Sequence, residues 1–313
     1  MIEITSAPPY LTVQDLGRPG YRAQGVPAGG AMDPTALSIA NVLAGNAPST
    51  GALEWALGGG AVHLDRPCAF AVAGADVEAT LDGQPLAMHT TYRATVGSVL
   101  TIHRIVAGRF AYVGLEGGID VPVVLGGRAT YLPGRFGGLE GRLLRSGDRL
   151  PLGSSGATAP RTGFAVPAEL LPHYESASCR ILPAGSHDLG GRGAAWLRLV
   201  TESYRVERSS DRIGYRLSGA SLGDCGSLPS EPVLPGVVQV PHGGQPIVLM
   251  ADGPTVGGYP VIGVISSVDL PLLAQREPGA EVRFAPITLA EAQRSVRRLA
   301  SKIHTLRHLA TAK

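Results

Sequence analysis

Lysine is almost missing from this chain: of its 313 residues only Lys302 and Lys313 are lysines, although Lys and Arg together number 27. A phosphate loop of the G-x-x-x-x-G-K-[ST] kind does not occur, and a lysine-based phosphate cradle has almost nothing to be built from. Cysteine is scarce too. Cys68, Cys179 and Cys225 are isolated, with neither C-x-x-C pairs nor Cys/His zinc spacing, so free thiols in a reducing cytoplasm are expected rather than a disulfide frame. No G-x-S-x-G elbow is present, which speaks against a serine hydrolase. The histidines are read as lone residues without metal-ligand spacing on a shared element. No metal site is therefore expected, and His242 in its Pro/Gly-rich loop is read as solvated or structural.

Long apolar runs are lacking as well. None approaches 18 residues without Gly, Pro or charge, so no membrane span is expected. The start, MIEITSAPPYLTVQD, has no basic n-region or apolar h-region, so no signal peptide is expected and the protein should be cytoplasmic. Net charge is only +2, which implies neither a nucleic-acid nor a membrane-surface partner.

Turn formers are abundant: 43 Gly and 25 Pro. Short segments such as VHLDR, AFAVAG, VLTIHRI, RFAYVGL, LRLV, PIVLMAD, VIGVISS and EVRFAP are β-branched or alternating and bounded by Gly, Pro or Asp, so they read as strands. The continuous run IVLM suits a strand covered on both faces. Two helices are expected. One starts at Asp33 as N-cap with Pro34 at the first position and ends at Gly45. The other covers about 289–308, opened by a Thr288/Glu291 capping box, with an apolar stripe at three- and four-residue spacing opposite arginines. A third, shorter one lies near 271–275. The fold expected is mainly β with a few helices.

The pattern R-x-G-Y-R occurs twice, at residues 18–22 and 212–216, each with an Asp just upstream, Asp15 and Asp211. Looser echoes keep the same order: LEWALGG with SEPVLPG, AFAVAGAD with PIVLMAD, GSVLTI with GAEVRF. They predict two similar β-rich units in tandem, over 1–155 and 173–313, joined by a connection at 156–172 where periodicity fades. Each R-x-G-Y-R is either a structural Asp–Arg clamp or an anion- or amide-binding loop. A second polar cluster spans 236–279. Gln239, Gln245 and Gln275 can both donate and accept, as an amide-like ligand requires, and Tyr259 is held between Gly257-Gly258 and Pro260. A Gly-rich stretch, LPGRFGGLEGR at 132–142, could cover an anion with Arg135 or Arg142.

The motifs TVQDLGRPGYRAQGVPAGGAMD, ANVLAGN, GGID, SDRIGYRL, QVPHGGQPIVLMADGPTVGGYP and LAQREPG together resemble the KipA / allophanate hydrolase subunit 2 family, over about 4–288. That family also supplies part of the carboxyltransferase domain of urea carboxylase and the C subunit of the ATP-dependent 5-oxoprolinase. The resemblance implies two tandem cyclophilin-like β-barrel subdomains with a C-terminal amphipathic helix. It also implies a polypeptide that is inactive alone and works with a KipI-like subunit (the B subunit of 5-oxoprolinase) plus an A subunit. ATP with Mg would sit at a site shared with or supplied by the partner, and the substrate would be a small amide or lactam. No biotin is expected on this chain, which has no MKM motif. Asp15, Arg18, Thr255 and Tyr259 are the catalytic candidates; Gln14, Tyr21, Arg22, Gln239, Gln245, Asp252, Gly257 and Gly258 are the substrate-binding ones. Three functions share this frame: opening 5-oxoproline to glutamate, carboxyltransfer or allophanate-hydrolase-type action on urea or a related amide, and non-catalytic antagonism of a KipI-type kinase inhibitor. The chain departs from the usual family pattern at His242 and Gly243 and at Gly253, Pro254 and Val256, where an Arg-Gln pair is lost.

Overall fold

The computed structural model describes residues 1–155, 159–184, 192–226 and 228–311. Part of the expected connection, 156–158, lies outside the described residues. The chain divides into two compact units. One comprises Met1–Arg18, Gly29–Pro172 and Ala300–Lys313; the other Pro19–Ala28 and His173–Leu299. Residues 159–172 belong to the first unit: Phe164 and Val166 are buried, and Ala165 bridges to Thr90.

The first unit is built on a nine-stranded sheet. Its main path runs Tyr10–Gln14, Ala52–Ala56, Val99–Leu115, Gly60–Leu64, Ile2–Ser6, Arg149–Leu150, every pair antiparallel. The strand Cys68–Leu81 pairs with Val99–Leu115 along nearly its whole length, from Phe70 opposite Leu115 to Leu81 opposite Leu100. The segments VLTIHRI and RFAYVGL, expected as separate strands, are thus one 17-residue strand. Trp55, Phe70, Leu11, Val13 and Ile102 are among the side chains that fill the core. Helix α1, Pro34–Leu43, is buried at every residue after Pro34: it carries no charge, and on its one polar stripe Ser38 Oγ donates to Pro34 O and Asn41 Nδ2 to Thr50 O, both at 2.7 Å. Asp33 caps it through Ala36 N at 2.9 Å. It lies so close to the sheet that a Cβ on Gly114 would come within 2.4 Å of the Ala40 carbonyl oxygen.

The second unit is a closed seven-stranded barrel, in the order Ser178–Pro183, Val261–Ile265, Val237–Gln239, Ile247–Leu249, Gly214–Gly219, Ser203–Val206, Glu281–Pro286. A parallel pair, Ser178–Pro183 with Glu281–Pro286, closes it. The run IVLM is buried at Val248, Leu249 and Met250, as expected for a covered strand. A small ribbon pairs Glu231–Pro232 with Val256–Gly257. Helix α2, Arg192–Thr201, corrects one expectation: LRLV is helical, not a strand. Four alternating residues fit either period, and buried Ala195 and Leu199, four apart, settle it. Helix α3 is Leu270–Ala274 and helix α4 is Leu289–Thr311. In α4 the capping box is formed: Thr288 N donates to Glu291 Oε2 at 2.9 Å and Glu291 N to Thr288 Oγ1 at 3.3 Å. The C-terminal amphipathic helix expected from the sequence is present, within a mainly β fold.

Candidate functional site

In both R-x-G-Y-R copies the upstream Asp caps the turn that follows. Asp15 Oδ1 accepts from Gly17 N at 2.7 Å, and Asp211 Oδ1 from Ile213 N at 2.8 Å. Both first arginines are buried. Beyond that the copies part. Gly20 has φ of +101° and leads into a 3-10 turn, Arg22–Gln24, with Tyr21 half-buried. Gly214 begins a barrel strand, and Tyr215 is fully buried, its hydroxyl donating to Ala274 O at 2.7 Å. Equivalence of the two segments does not extend past the capping Asp and the buried Arg.

Several expected site residues make hydrogen bonds that hold the fold, although Gln14 Oε1 is buried without a partner. Asp15 Oδ2 accepts from Arg128 N at 2.5 Å, so both its oxygens hold main chain rather than orienting Arg18. Arg18, wholly buried, donates to Ala129 O and Val124 O and lies 4.8 Å from the centre of the Phe136 ring. Gln14 is buried too, its Nε2 reaching Thr12 Oγ1 and Thr130 O, both at 3.1 Å. Gln245 clips Gly219 through both its C=O and its N–H, at 2.9 and 3.2 Å. Asp252 makes a two-pronged pair with buried Arg212, at 2.8 and 2.9 Å. All five have hydrogen bonds that tie them to the frame. Buried charges need such partners, since an unpaired one costs several kcal/mol.

What remains gathers in the second unit. Arg22 donates to Val233 O and to Pro254 O, the latter at 3.0 Å, so it grips the segment leading into Thr255. Burial lowers its pKa from the ordinary arginine value. Its Nη1 is buried without a hydrogen-bond partner. Thr255 O accepts from Val233 N at 3.0 Å, and Gly257 pairs with Glu231. Gln239 sits behind this ribbon. Its side chain is 3 % exposed, its Nε2 has no partner, and a Cβ on Gly257 would fall 2.6 Å from that nitrogen. Without a side chain, Gly257 leaves the Gln239 amide its place; a methyl there would push it back. Gly258 O accepts from Leu228 N at 3.1 Å, and Tyr259, 47 % exposed, follows at the rim. The unspent guanidinium and amide N–H groups are closed to solvent, beside the Thr255 hydroxyl and the exposed Tyr259 phenol; donors of these kinds match C=O and carboxylate acceptors. The departure at Pro254 is compatible with this: only its carbonyl is used.

His242 is exposed, its Nδ1 3.4 Å from Asp224. The reading of the histidines as lone residues needs correcting at one place. His304 and His308 stand four apart on α4 with Nε2 atoms 3.2 Å from each other. Two imidazoles are half of a zinc site, and no group of three metal-ligating residues occurs among the described residues. No helix among them is long and apolar enough to cross a membrane.

The model of the carboxyltransferase domain, subdomain A and B, matches residues 24–286. The chain belongs to that family. Among its relatives is the 5-oxoprolinase C subunit of Escherichia coli K12, 40% identical over 97% of this chain and 99% of that one. The Haemophilus influenzae 5-oxoprolinase C subunit is 35% identical over 93% of both. Urea amidolyase of Saccharomyces cerevisiae is 32% identical over 95% of this chain, which spans only 17% of that protein. Among solved structures, the Kluyveromyces lactis urea amidolyase superposes with a TM-score of 0.88 at 27% identity, over 97% of this chain and 20% of that one. Every segment of the candidate site in the second unit, except Tyr21 and Arg22, falls inside the region matched by the carboxyltransferase family.

Proposed function

We propose that this chain is the C subunit of an ATP-dependent 5-oxoprolinase, working with a KipI-like B subunit plus an A subunit, inactive alone. The observation that carries it is the 40% identity to a protein of that name over essentially the full length of both chains. Ring opening adds water across the lactam: the C–N bond breaks, the carbonyl carbon gains the hydroxyl and the nitrogen gains the proton, giving glutamate. ATP and Mg would bind at a site shared with or supplied by the partner. Within this chain, Arg22 would pair with the substrate carboxylate, Gln239 and Tyr259 would hold the lactam, and Thr255 would line the approach. Such donors favour a developing oxyanion more than a neutral amide, the condition for accelerating the reaction.

The test is reconstitution. The purified chain is combined with the candidate B and A subunits from the same genome, and glutamate and ADP are followed with 5-oxoproline as substrate. Activity that requires all the chains supports the reading. Urea-dependent consumption of a carboxylated carrier, with no action on 5-oxoproline, would replace it by the carboxyltransferase reading that the urea amidolyase similarity supports.

A further inference from the structure

The stretch 132–146 takes no part in the site above. Leu132, Arg135 and 140–146, together with Ala7, Pro8 and Pro9, line an open surface cavity of about 590 Å³ in the first unit, inside the size range of small-molecule sites. Its backbone is held in a costly conformation. Arg135 and Glu140, neither of them glycine, have φ of +53° and +57°, and both line the cavity. Gly137, Gly138 and Gly141 are left-handed too. A Cβ on each would come within 2.0 Å of Ala129 O, Thr130 Oγ1 and Arg135 C respectively. Tyr131 and Phe136 clasp the turn, exchanging main-chain hydrogen bonds, with ring centres 5.3 Å apart. A left-handed non-glycine residue persists only where its surroundings force it, and such residues concentrate at functional sites.

The three arginines at this cavity are not equivalent. Arg142 is committed: it reaches Asp148 at 2.7 and 3.0 Å and Glu140 at 3.0 Å. Arg135 and Arg145 are exposed, and among the described residues their guanidinium groups have no hydrogen-bond partner. Arg142 takes the side-chain hydrogen bonds of both nearby carboxylates; Arg145 keeps a through-space attraction to Asp148, and the heads of Arg135 and Arg145 are left without a hydrogen-bonded carboxylate. Beside them Pro8, Pro9, Leu132 and Leu143 form an apolar wall. Guanidinium groups pair best with carboxylate and phosphate.

We propose that this cavity is a binding site for a small organic anion, its carboxylate or phosphate head on Arg135 and Arg145 and its hydrocarbon body against the prolines and leucines. The site stands independently of the reading given to the second unit.

Titration calorimetry on the full chain tests it with three probes: butyl phosphate, pentanoate and uncharged pentanamide. One anion is expected to bind per chain, with pentanamide about tenfold weaker or worse. The tighter of the two anions identifies the head group. The double variant R135Q/R145Q should lose about tenfold or more while its Tm stays at the wild-type value, because these side chains hold nothing in the fold. If that variant does not fold, Arg145→Gln and Arg135→Gln are compared singly, each expected to weaken the anion and leave pentanamide unchanged. Failure of both anions to bind below about 10 mM, or binding unchanged by the substitutions, overturns the proposal.

Discussion

Gly257→Ala isolates the candidate site in a single methyl group. The new carbon would lie 2.6 Å from Gln239 Nε2, where ordinary contact begins at 3.4 Å, so the amide must retreat by the difference. The backbone at 257 is an ordinary strand conformation and adds no strain of its own. Gln239 Nε2 is the far end of a flexible side chain but is deeply buried. The stability cost therefore falls at the low end of overpacking, about 1 kcal/mol. Catalysis should suffer far more. A displacement approaching 1 Å of a group that holds the reacting atoms costs on the order of 100-fold. The assay is kcat/KM of the reconstituted complex for 5-oxoproline, beside urea unfolding of the isolated chain. Gln239→Ala should cause a loss of similar size, and the double variant should be no worse than either single one, because both remove the same contact. Gly257→Ala with normal partner binding and wild-type kcat/KM would refute the placement of Gln239 at the reaction. Multiplicative losses in the double variant would refute the shared cause.

Tyr259→Phe removes one exposed hydroxyl and little packing; if it bonds the lactam in the transition state, the loss is about 2 to 3 kcal/mol, or 30- to 150-fold in kcat/KM. Asp269→Ala should destabilise the second unit by about 2 to 4 kcal/mol, because the carboxylate accepts from Arg180 N, Nε and Nη2 at 2.7, 2.7 and 2.6 Å; denaturation followed by Trp196, the tryptophan of that unit, reads it, and Asp269→Asn should lose less. Burial holds the His89 imidazole below its ordinary value, with Asp76 opposing it. The unfolded chain then binds the extra proton first, so stability should fall as pH drops through about 6.5, and His89→Gln should flatten that part of a Tm–pH profile. Burial pushes the Cys68 and Cys179 thiols up to about 11 and about 12, while Cys225 is half-exposed. A thiol reagent at pH 8 should modify one cysteine quickly in the native chain and three in denaturant; fast loss of two or three would contradict the burial.

The local signals read well where chain chemistry acts on its nearest neighbours. The Asp33-Pro34 start and the Thr288/Glu291 box set helix beginnings within a few residues, and both are formed. The turn glycines before two echoing strands, Gly97 and Gly279, have nearly the same φ, +85° and +87°. So the repeats in the sequence mark turn-and-strand units. They do not mark partners: Glu54 is buried and bonded to Tyr112, whereas its echo Glu231 is exposed. The same limit explains the site. Asp15, Gln14, Gln245 and Asp252 looked available because polarity and turn chemistry are visible in one dimension. Their partners — Arg128 N, Thr130 O, Gly219 and Arg212 — are known only once distant segments meet. The unspent groups of Gln239 and Arg22 are likewise a property of three dimensions. The His304/His308 pair, by contrast, was legible from spacing on a helix already expected.

Neither unit is contiguous in the chain. Residues 19–28 are lent to the second unit, and residues 300–313 return to the first. Arg161 N donates to Ala310 O at 2.9 Å, Lys302 Nζ to Glu169 O, and Leu306 and Ala310 are completely covered. A nascent chain leaving the ribosome thus holds an unfinished first unit until its last helix has been made. The usual order, amino-terminal domain first, is closed to it. The same exchange forbids dividing the gene at residue 172 into two self-sufficient proteins. The first fragment would lack the last part of α4, from Ala300 on, and the second its Tyr21–Arg22 loop. Any tag or fusion at the carboxyl end loads the first unit, not the barrel that precedes it in sequence.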